Sequence, residues 1–215
     1  MNSSMMIPLA LRDTALTIAG LADAAQAPDF AAFRTNCLNQ VKRLQEELRA
    51  SGQPADVVED AAYAQCALLD EVALNRLQGD GRDAWERAPL QVDQFESHDA
   101  GDALITRIER RLAEPQPVLP LLAVFQSVLG LGFQGRYALD GANARIALMR
   151  AIDERLHRAG VHPGGGPVLV TASKPRRRLG HLSPLGWLAL AIVGAGLVYI
   201  ALDRWLALAI GRLAG

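Results

Sequence analysis

AAYAQCALLDEVAL, residues 61–74, has the make-up of an apolar helix except that Asp70 and Glu71 sit inside it. A charge in such surroundings costs free energy unless it is paired or hydrogen-bonded. Four roles fit the two carboxylates: a catalytic acid/base pair, metal ligands, members of a structural ion pair, or a contact point for another protein. Neighbouring residues on a helix point about 100° apart, so the two cannot flank one scissile bond as a glycosidase pair does from separate elements. In the structural reading they are satisfied within the fold, by an arginine such as Arg136 or by Glu71 meeting Asn75 one turn on. In the contact reading they line a cleft on a helical bundle and receive basic residues of a partner. Replacing the pair by Asn and Gln separates these readings. An exposed pair would lose well under about 1 kcal/mol, and that small loss with a folded domain is the expectation here.

Helical periodicity extends outward from this stretch over most of residues 8–159. PLALRDTALTIAGLADAAQ reads as a first amphipathic helix. It lacks a basic n-region, and Arg12 and Asp13 interrupt its apolar stretch, so an amphipathic helix is expected there and not a signal peptide. Asp29 caps a second helix, which Gly52 stops. The third opens at Pro54 or Ala55, carries the quoted stretch and ends near Gly79-Asp80-Gly81. RDAWERAPLQVDQFESHDAGDA is less regular, with a short helix around Trp85 and a loop. ALITRIERRLAE forms another helix, broken by Pro115, Pro117 and Pro120. VLPLLAVFQSVLGLG is strongly apolar, too short to span a bilayer, and reads as a central core helix. The last helix runs from Asn143 to His157, with Ile146, Met149, Ile152 and Leu156 on one stripe. No sustained period-2 alternation and no internal repeat is present, so residues 1–160 are expected to form an all-α cytoplasmic helical domain.

The composition agrees: half the chain is hydrophobic and only 5% aromatic, which favours helices over a β-sandwich or barrel. Residues 1–173 carry 16 basic against 22 acidic side chains, whereas residues 174–215 carry six basic and one acidic. An acidic body is a poor nucleic-acid binder, so no nucleic acid is expected as a partner. Lys174, Arg176, Arg177 and Arg178 instead precede Leu182–Leu202, a stretch of 21 residues without a formal charge. At 1.5 Å per residue such a helix spans roughly 31 Å, close to the hydrocarbon thickness of a bilayer. Trp187, Tyr199 and Trp205 lie toward its ends, where amphipathic rings favour the interface. Residues 184–204 are therefore expected to be a single transmembrane helix. The basic flank and residues 161–183, a Gly/Pro-rich linker, fall on the cytoplasmic side, and a short tail, 205–215, on the periplasmic side. Ala191 and Ala195 give a small-xxx-small spacing suited to self-association of that helix.

Catalytic constellations are missing from the sequence. The four histidines (98, 157, 162 and 181) are scattered, with none paired at i, i+4, and Gly164–Gly166 lack the Lys-Ser/Thr of a phosphate loop. Cys37 and Cys66 belong to no C-x-x-C pair and read as reduced, buried thiols. No cofactor, metal or small-molecule substrate is implied, and the chain reads as a non-enzyme. Gly132-Phe133-Gln134-Gly135-Arg136-Tyr137 reads as a sharp corner between helices, its glycines permitting positive φ and its aromatic residues packing back on the core.

YAQCALLDEVAL, then Trp85 with Pro89-Leu90, Phe95 and Gly101, then LGLGFQGRYAL, then the apolar C-terminal run, closely resembles the TssL/DotU (IcmH) family of type VI secretion inner-membrane components. The resemblance covers essentially the whole chain. It implies a hook-shaped cytoplasmic domain of two packed sub-bundles, anchored by one C-terminal helix in the bacterial inner membrane. It implies a TssM-like inner-membrane partner, a TssJ-like lipoprotein reached through it, and docking of baseplate components of the TssK and TssE kind. Asp70 and Glu71 match the family's Asp-Glu pair, which lies in a cleft region associated with partner contacts. The chain ends at Gly215 without the periplasmic peptidoglycan-binding domain of some members, so wall anchoring is expected from another subunit. A tail-anchored adaptor unrelated to secretion and a membrane-tethered enzyme are the rival readings.

Overall fold

The computed structural model of the chain describes residues 9–23, 29–97, 99–138 and 141–161. These residues form α1 (Leu9–Asp23), α2 (Phe30–Ala50), α3 (Ala55–Arg76), α4 (Gly79–Arg87), α5 (Leu90–Phe95), α6 (Ala100–Leu112), α7 (Leu119–Gly130), a 3₁₀ turn (Gly135–Tyr137) and α8 (Ala142–Arg158). Among the described residues there is no strand, and no helix is long and apolar enough to cross a membrane. The apolar run 184–204, its basic flank at Lys174, Arg176, Arg177 and Arg178, and the tail lie outside the described residues.

Residues 61–70 of α3 are buried without interruption. A helix has no solvent-facing side only when other helices surround it, so α3 is the axis of the domain. The sequence reads α7 as a central core helix. That helix does bury Leu121, Leu122, Val124, Phe125, Val128 and Leu129, but from one flank of α3. Alanines at 61, 62, 64 and 67 allow this enclosure, because small side chains let neighbouring backbones approach α3 from several directions at once.

Two apolar cores meet on α3. Ala61, Ala64, Ala67 and Leu68 face a larger core with α1, α6, α7 and α8. Ala62, Cys66, Leu69 and Ala73 face a smaller one with Phe33, Cys37 and Val41 of α2, Trp85 of α4 and Leu90 of α5. Trp85 is fully buried there, with Phe33 5.2 Å and Phe30 6.1 Å from its ring centre.

The helix ends follow local chemistry. The Asp29 carboxylate accepts the Ala32 N–H at 2.9 Å as the cap of α2. Gly52, at φ +78°, closes that helix while the Gln53 N–H returns 3.0 Å to the Leu48 carbonyl. Two expectations need correction. Gly79-Asp80-Gly81 opens α4 instead of ending α3: Leu77 is extended after Arg76, and Asp80 complements the positive end of the new helix. Residues 90–95, expected as loop, form α5, whose buried Leu90 and Gln91 seat it on the smaller core. On α8 the buried residues are Leu148, Ile152 and Leu156, whereas Ile146 is 44% exposed. The stripe therefore runs through 145, 148, 152 and 156, and Ile146 lies outside it.

Helix α6 is held by charge as well as by Leu104, Ile105 and Ile108. Three of its arginines converge on Asp60 of α3: Arg107 at 2.6 Å, Arg111 at 2.7 Å and Arg110 at 3.4 Å. Asp60 is itself buried, where a charge is costly unless it is paired and hydrogen-bonded. The Arg107 guanidinium also sits 4.0 Å over the Tyr63 ring.

Candidate functional site

Asp70 and Glu71 occupy the last turns of α3, each reaching a different chain reversal. Asp70 is 5% exposed. Its Oδ1 accepts the Trp85 indole N–H and the Leu90 backbone N–H, both at 2.8 Å, and its Oδ2 accepts the Gln91 N–H at 2.9 Å. Leu90 and Gln91 open α5, so two N–H groups that a helix start leaves without partners are satisfied by a carboxylate from another helix. Pro89, just ahead, cannot donate. Arg34 of α2 supports the same reversal from the other polarity, donating Nε to the Ala88 carbonyl at 3.3 Å and pairing with Asp93 at 3.4 Å.

Glu71 repeats the device one residue on. Its Oε1 and Oε2 accept the N–H groups of Gln134 and Gly135 at 2.9 and 2.8 Å. Arg145 of α8 donates Nε to the Phe133 carbonyl at 2.9 Å and Nη2 to the Leu129 carbonyl. The corner between α7 and α8 is thus gripped by a carboxylate on its donors and a guanidinium on its acceptors. All four bonds go to backbone.

The corner also explains its glycines. Gly135 has φ +53°, and a Cβ there would lie 2.5 Å from the Gly101 carbonyl oxygen and 2.9 Å from the Phe133 ring. Gly132 has φ +112°, and Phe133 turns inward to be buried. Arg136 leaves the corner to pair with Asp102 at 2.8 Å and Glu109 at 2.6 Å on α6, beside the Tyr137 ring and hydroxyl.

Several sequence expectations meet this geometry. Both carboxylates are satisfied within the fold, but by backbone N–H groups and an indole instead of the side chains of Arg136 or Asn75. Arg136 is engaged by α6. Trp85, singled out only as a motif residue, is a direct partner of Asp70. The residues that sequence reasoning missed are Arg34, Arg145 and Asp60. For Asp60 a signal was present: Arg107, Arg110 and Arg111 recur at i, i+3 and i+4 on one face and require an acceptor. For Arg34 and Arg145 there was none, because their acceptors are carbonyls that every residue carries.

Burial pushes the carboxyls of both Asp70 and Glu71 above their ordinary values, against the pull of their N–H donors. Arg34 draws Asp70 back toward ionisation, and Arg145 does so for Glu71. Arg145 is itself lowered by burial and held up by Glu71. Cys37, deep in the smaller core, is pushed up to about 12 by burial, and Cys66 also lies well above the usual thiol value. Neither is a nucleophile at neutral pH. Among the described residues no group of three or more His, Cys, Asp or Glu is placed to hold a metal ion.

Comparison with known proteins gives one family: the model of the type VI secretion system protein DotU matches residues 7–205. Curated proteins give no match. Solved structures with the same fold include SciP/TssL from enteroaggregative Escherichia coli 042, 30% identical, covering 78% of this chain and 97% of that one at a TM-score of 0.60. The cytoplasmic domain of TssL from Acinetobacter baumannii is 26% identical, covering 72% and 98% at a TM-score of 0.63. DotU from Francisella novicida, at 18% identity, covers 72% and 97% with a TM-score of 0.61, a likeness of fold alone.

Proposed function

The chain belongs to the DotU family of type VI secretion system proteins, and from that premise we propose that it is a non-enzymatic structural subunit of the secretion membrane complex. In this reading residues 184–204 anchor it once in the bacterial inner membrane. The helical domain faces the cytoplasm, the linker 161–183 sets it off from the bilayer, and residues 205–215 reach the periplasm. Its work is to join a TssM-like membrane partner, and through it a TssJ-like lipoprotein, to baseplate components of the TssK and TssE kind, with copies of the chain associating alongside.

The observation that carries the reading is the double grip at Asp70 and Glu71. The two carboxylates set in the apolar α3 are taken up by N–H donors of the fold itself. They hold two chain reversals, Ala88–Gln91 and Phe133–Gly135, the second of which carries the exposed Gln134. Rigid surface segments are what a docking platform requires, because segments ordered in advance need not be ordered on binding. We assign Asp70 and Glu71 their part in partner binding through these reversals, whose outward residues include Gln134 and Arg136.

Co-purification of the full-length chain with TssK-like and TssM-like proteins tests the proposal. Asp70→Asn with Glu71→Gln is expected to reduce recovery of the baseplate partner at least about tenfold, the ratio equivalent to 1.4 kcal/mol, while the membrane partner is retained. Equal recovery of both partners by wild type and double variant would sink the assignment of the pair.

A further inference from the structure

Six described residues have positive φ, and five of them are glycines, at 52, 79, 132, 135 and 160. The sixth is Glu96, at φ 53° and ψ 27°. It ends α5 in the left-handed conformation, its own N–H returning 3.0 Å to the Val92 carbonyl and the Ser97 N–H 3.3 Å to the Gln91 carbonyl. A helix end of this kind ordinarily takes glycine, because a Cβ is crowded in the left-handed region.

Nothing that the side chain does within the fold offsets this strain. Glu96 is exposed, and its carboxylate makes no hydrogen bond or ion pair with the described residues. Its charge stands at the negative end of α5, where a cation would be favoured. Residues 88–106 contain no lysine or arginine. The two arginines that reach this segment are engaged elsewhere, Arg34 by Asp93 and Arg136 by Asp102 and Glu109. The turn is nonetheless held on both sides of Glu96. The Phe95 ring packs edge-on against the buried Tyr63 ring, their centres 5.1 Å apart, and Ser97 Oγ lies 2.8 Å from the Tyr63 hydroxyl oxygen. A strained residue on a fixed backbone, with no return to the fold, is where a function is expected.

We infer that Glu96 is a contact residue that receives a lysine or arginine of the protein docked on this domain, an inference that rests on the reading of the chain as a baseplate-docking subunit. Helix α5 runs from the reversal held by Asp70 to this turn, so the contact adjoins a segment already assigned to docking. A carboxylate fixed in direction and free of internal cations has little to give up on meeting one from a partner.

Titration of the full-length chain in detergent with a purified TssK-like protein, beside its urea unfolding, tests this. Glu96→Gly is expected to raise the unfolding midpoint and to weaken binding roughly two- to fivefold, the range of a partly exposed ion pair. Glu96→Gln keeps the backbone and removes only the charge. It is expected to bind as weakly as the glycine variant with little change in midpoint. Glu96→Lys is expected to bind weakest of all. Wild-type affinity in the Gly and Gln variants would overturn the inference and leave the docking reading standing, whereas a wild-type chain that binds no partner would overturn both. A lowered midpoint for Glu96→Gly would overturn it too, by giving the side chain a role in the fold. So would a Glu96→Lys chain that binds as well as Glu96→Gln, since no cation would then be met.

Discussion

Two chain reversals are held from consecutive residues of one helix, and they differ in how much water reaches them. At the α4–α5 reversal the carboxylate of Asp70 is buried, takes three donors, and has the indole of a fully buried Trp85 among them. At the α7–α8 corner Glu71 is half-buried and takes two donors, one of them from the exposed Gln134. The guanidiniums rank the other way. Arg145 makes two bonds to corner carbonyls, whereas Arg34 makes one long bond and an ion pair with the half-exposed Asp93. The first reversal therefore depends mainly on its anion and the second on both charges together. Similar parts in different dielectric surroundings do different amounts of work.

Asp70→Ala should break the comparison most severely. It leaves three buried N–H donors without acceptors, and at ~1–3 kcal/mol for each the fold should lose on the order of 3–9 kcal/mol. Asp70→Asn should also destabilise, by about 2–3 kcal/mol, because its amide NH₂ would confront a donor. That replaces the sequence-based expectation of a loss below 1 kcal/mol. Glu71→Ala should lose only about 1–2 kcal/mol, since water can reach the N–H groups it abandons. Urea unfolding of a fragment spanning residues 1–161 measures all three; equal losses for Asp70→Ala and Glu71→Ala would contradict the burial contrast. The fragment should be helical by circular dichroism, since both cores close within it.

Gly135→Ala probes the corner through its backbone. The left-handed conformation costs an L-residue about 1 kcal/mol, and the Cβ contact with the Gly101 carbonyl forces a further shift worth about 1–3 kcal/mol. A total of about 2–4 kcal/mol is expected in the same unfolding assay. A neutral result would mean that Gly101 and α6 move away freely. Arg145→Met should lose about 1–2 kcal/mol and Arg34→Met under about 1 kcal/mol; the reverse order would overturn the ranking of the two cations.

How much of this was legible in the sequence depends on what kind of atom each residue bonds. The helices were readable because apolar spacing, Asp29, Gly52 and the prolines act locally. Leu90–Phe95 was missed because a six-residue helix has too few turns to show a period, and its start is satisfied by a carboxylate distant in sequence. The unusual position of Asp70 and Glu71 was plain, since charges within AAYAQCALLDEVAL need a reason. Their partners were not plain. A side chain seeking a side chain leaves two marks in a sequence, as Asp60 and the arginines of α6 do. A side chain seeking a backbone N–H leaves one, and pairing Glu71 with Arg136 followed from supposing two.

The smallest effect expected is also the one that separates burial from hydrogen bonding at the second corner. Burial raises the Glu71 carboxyl above its ordinary 4.5, while the N–H groups of Gly135 and Gln134 and the charge of Arg145 pull it down. With the net shift upward, the folded chain binds this proton more tightly than the unfolded chain does. The Glu71 contribution to stability is then fully present below the unfolded value and declines as pH rises through the folded one. Glu71→Gln removes that titration and keeps one acceptor oxygen. The stability gap between wild type and Glu71→Gln should accordingly widen as pH falls from neutral through the carboxylate range, and stay level above it. Asp56 titrates in both chains: its Arg111 hydrogen bond lowers its carboxyl, so it removes stability on acidification from each alike and cancels in the difference. Unfolding midpoints of the two fragments across that range read the sign directly. A gap that narrows on acidification would mean that two N–H groups and one guanidinium outweigh desolvation, and that the half-buried corner is wet enough to keep its carboxylate charged.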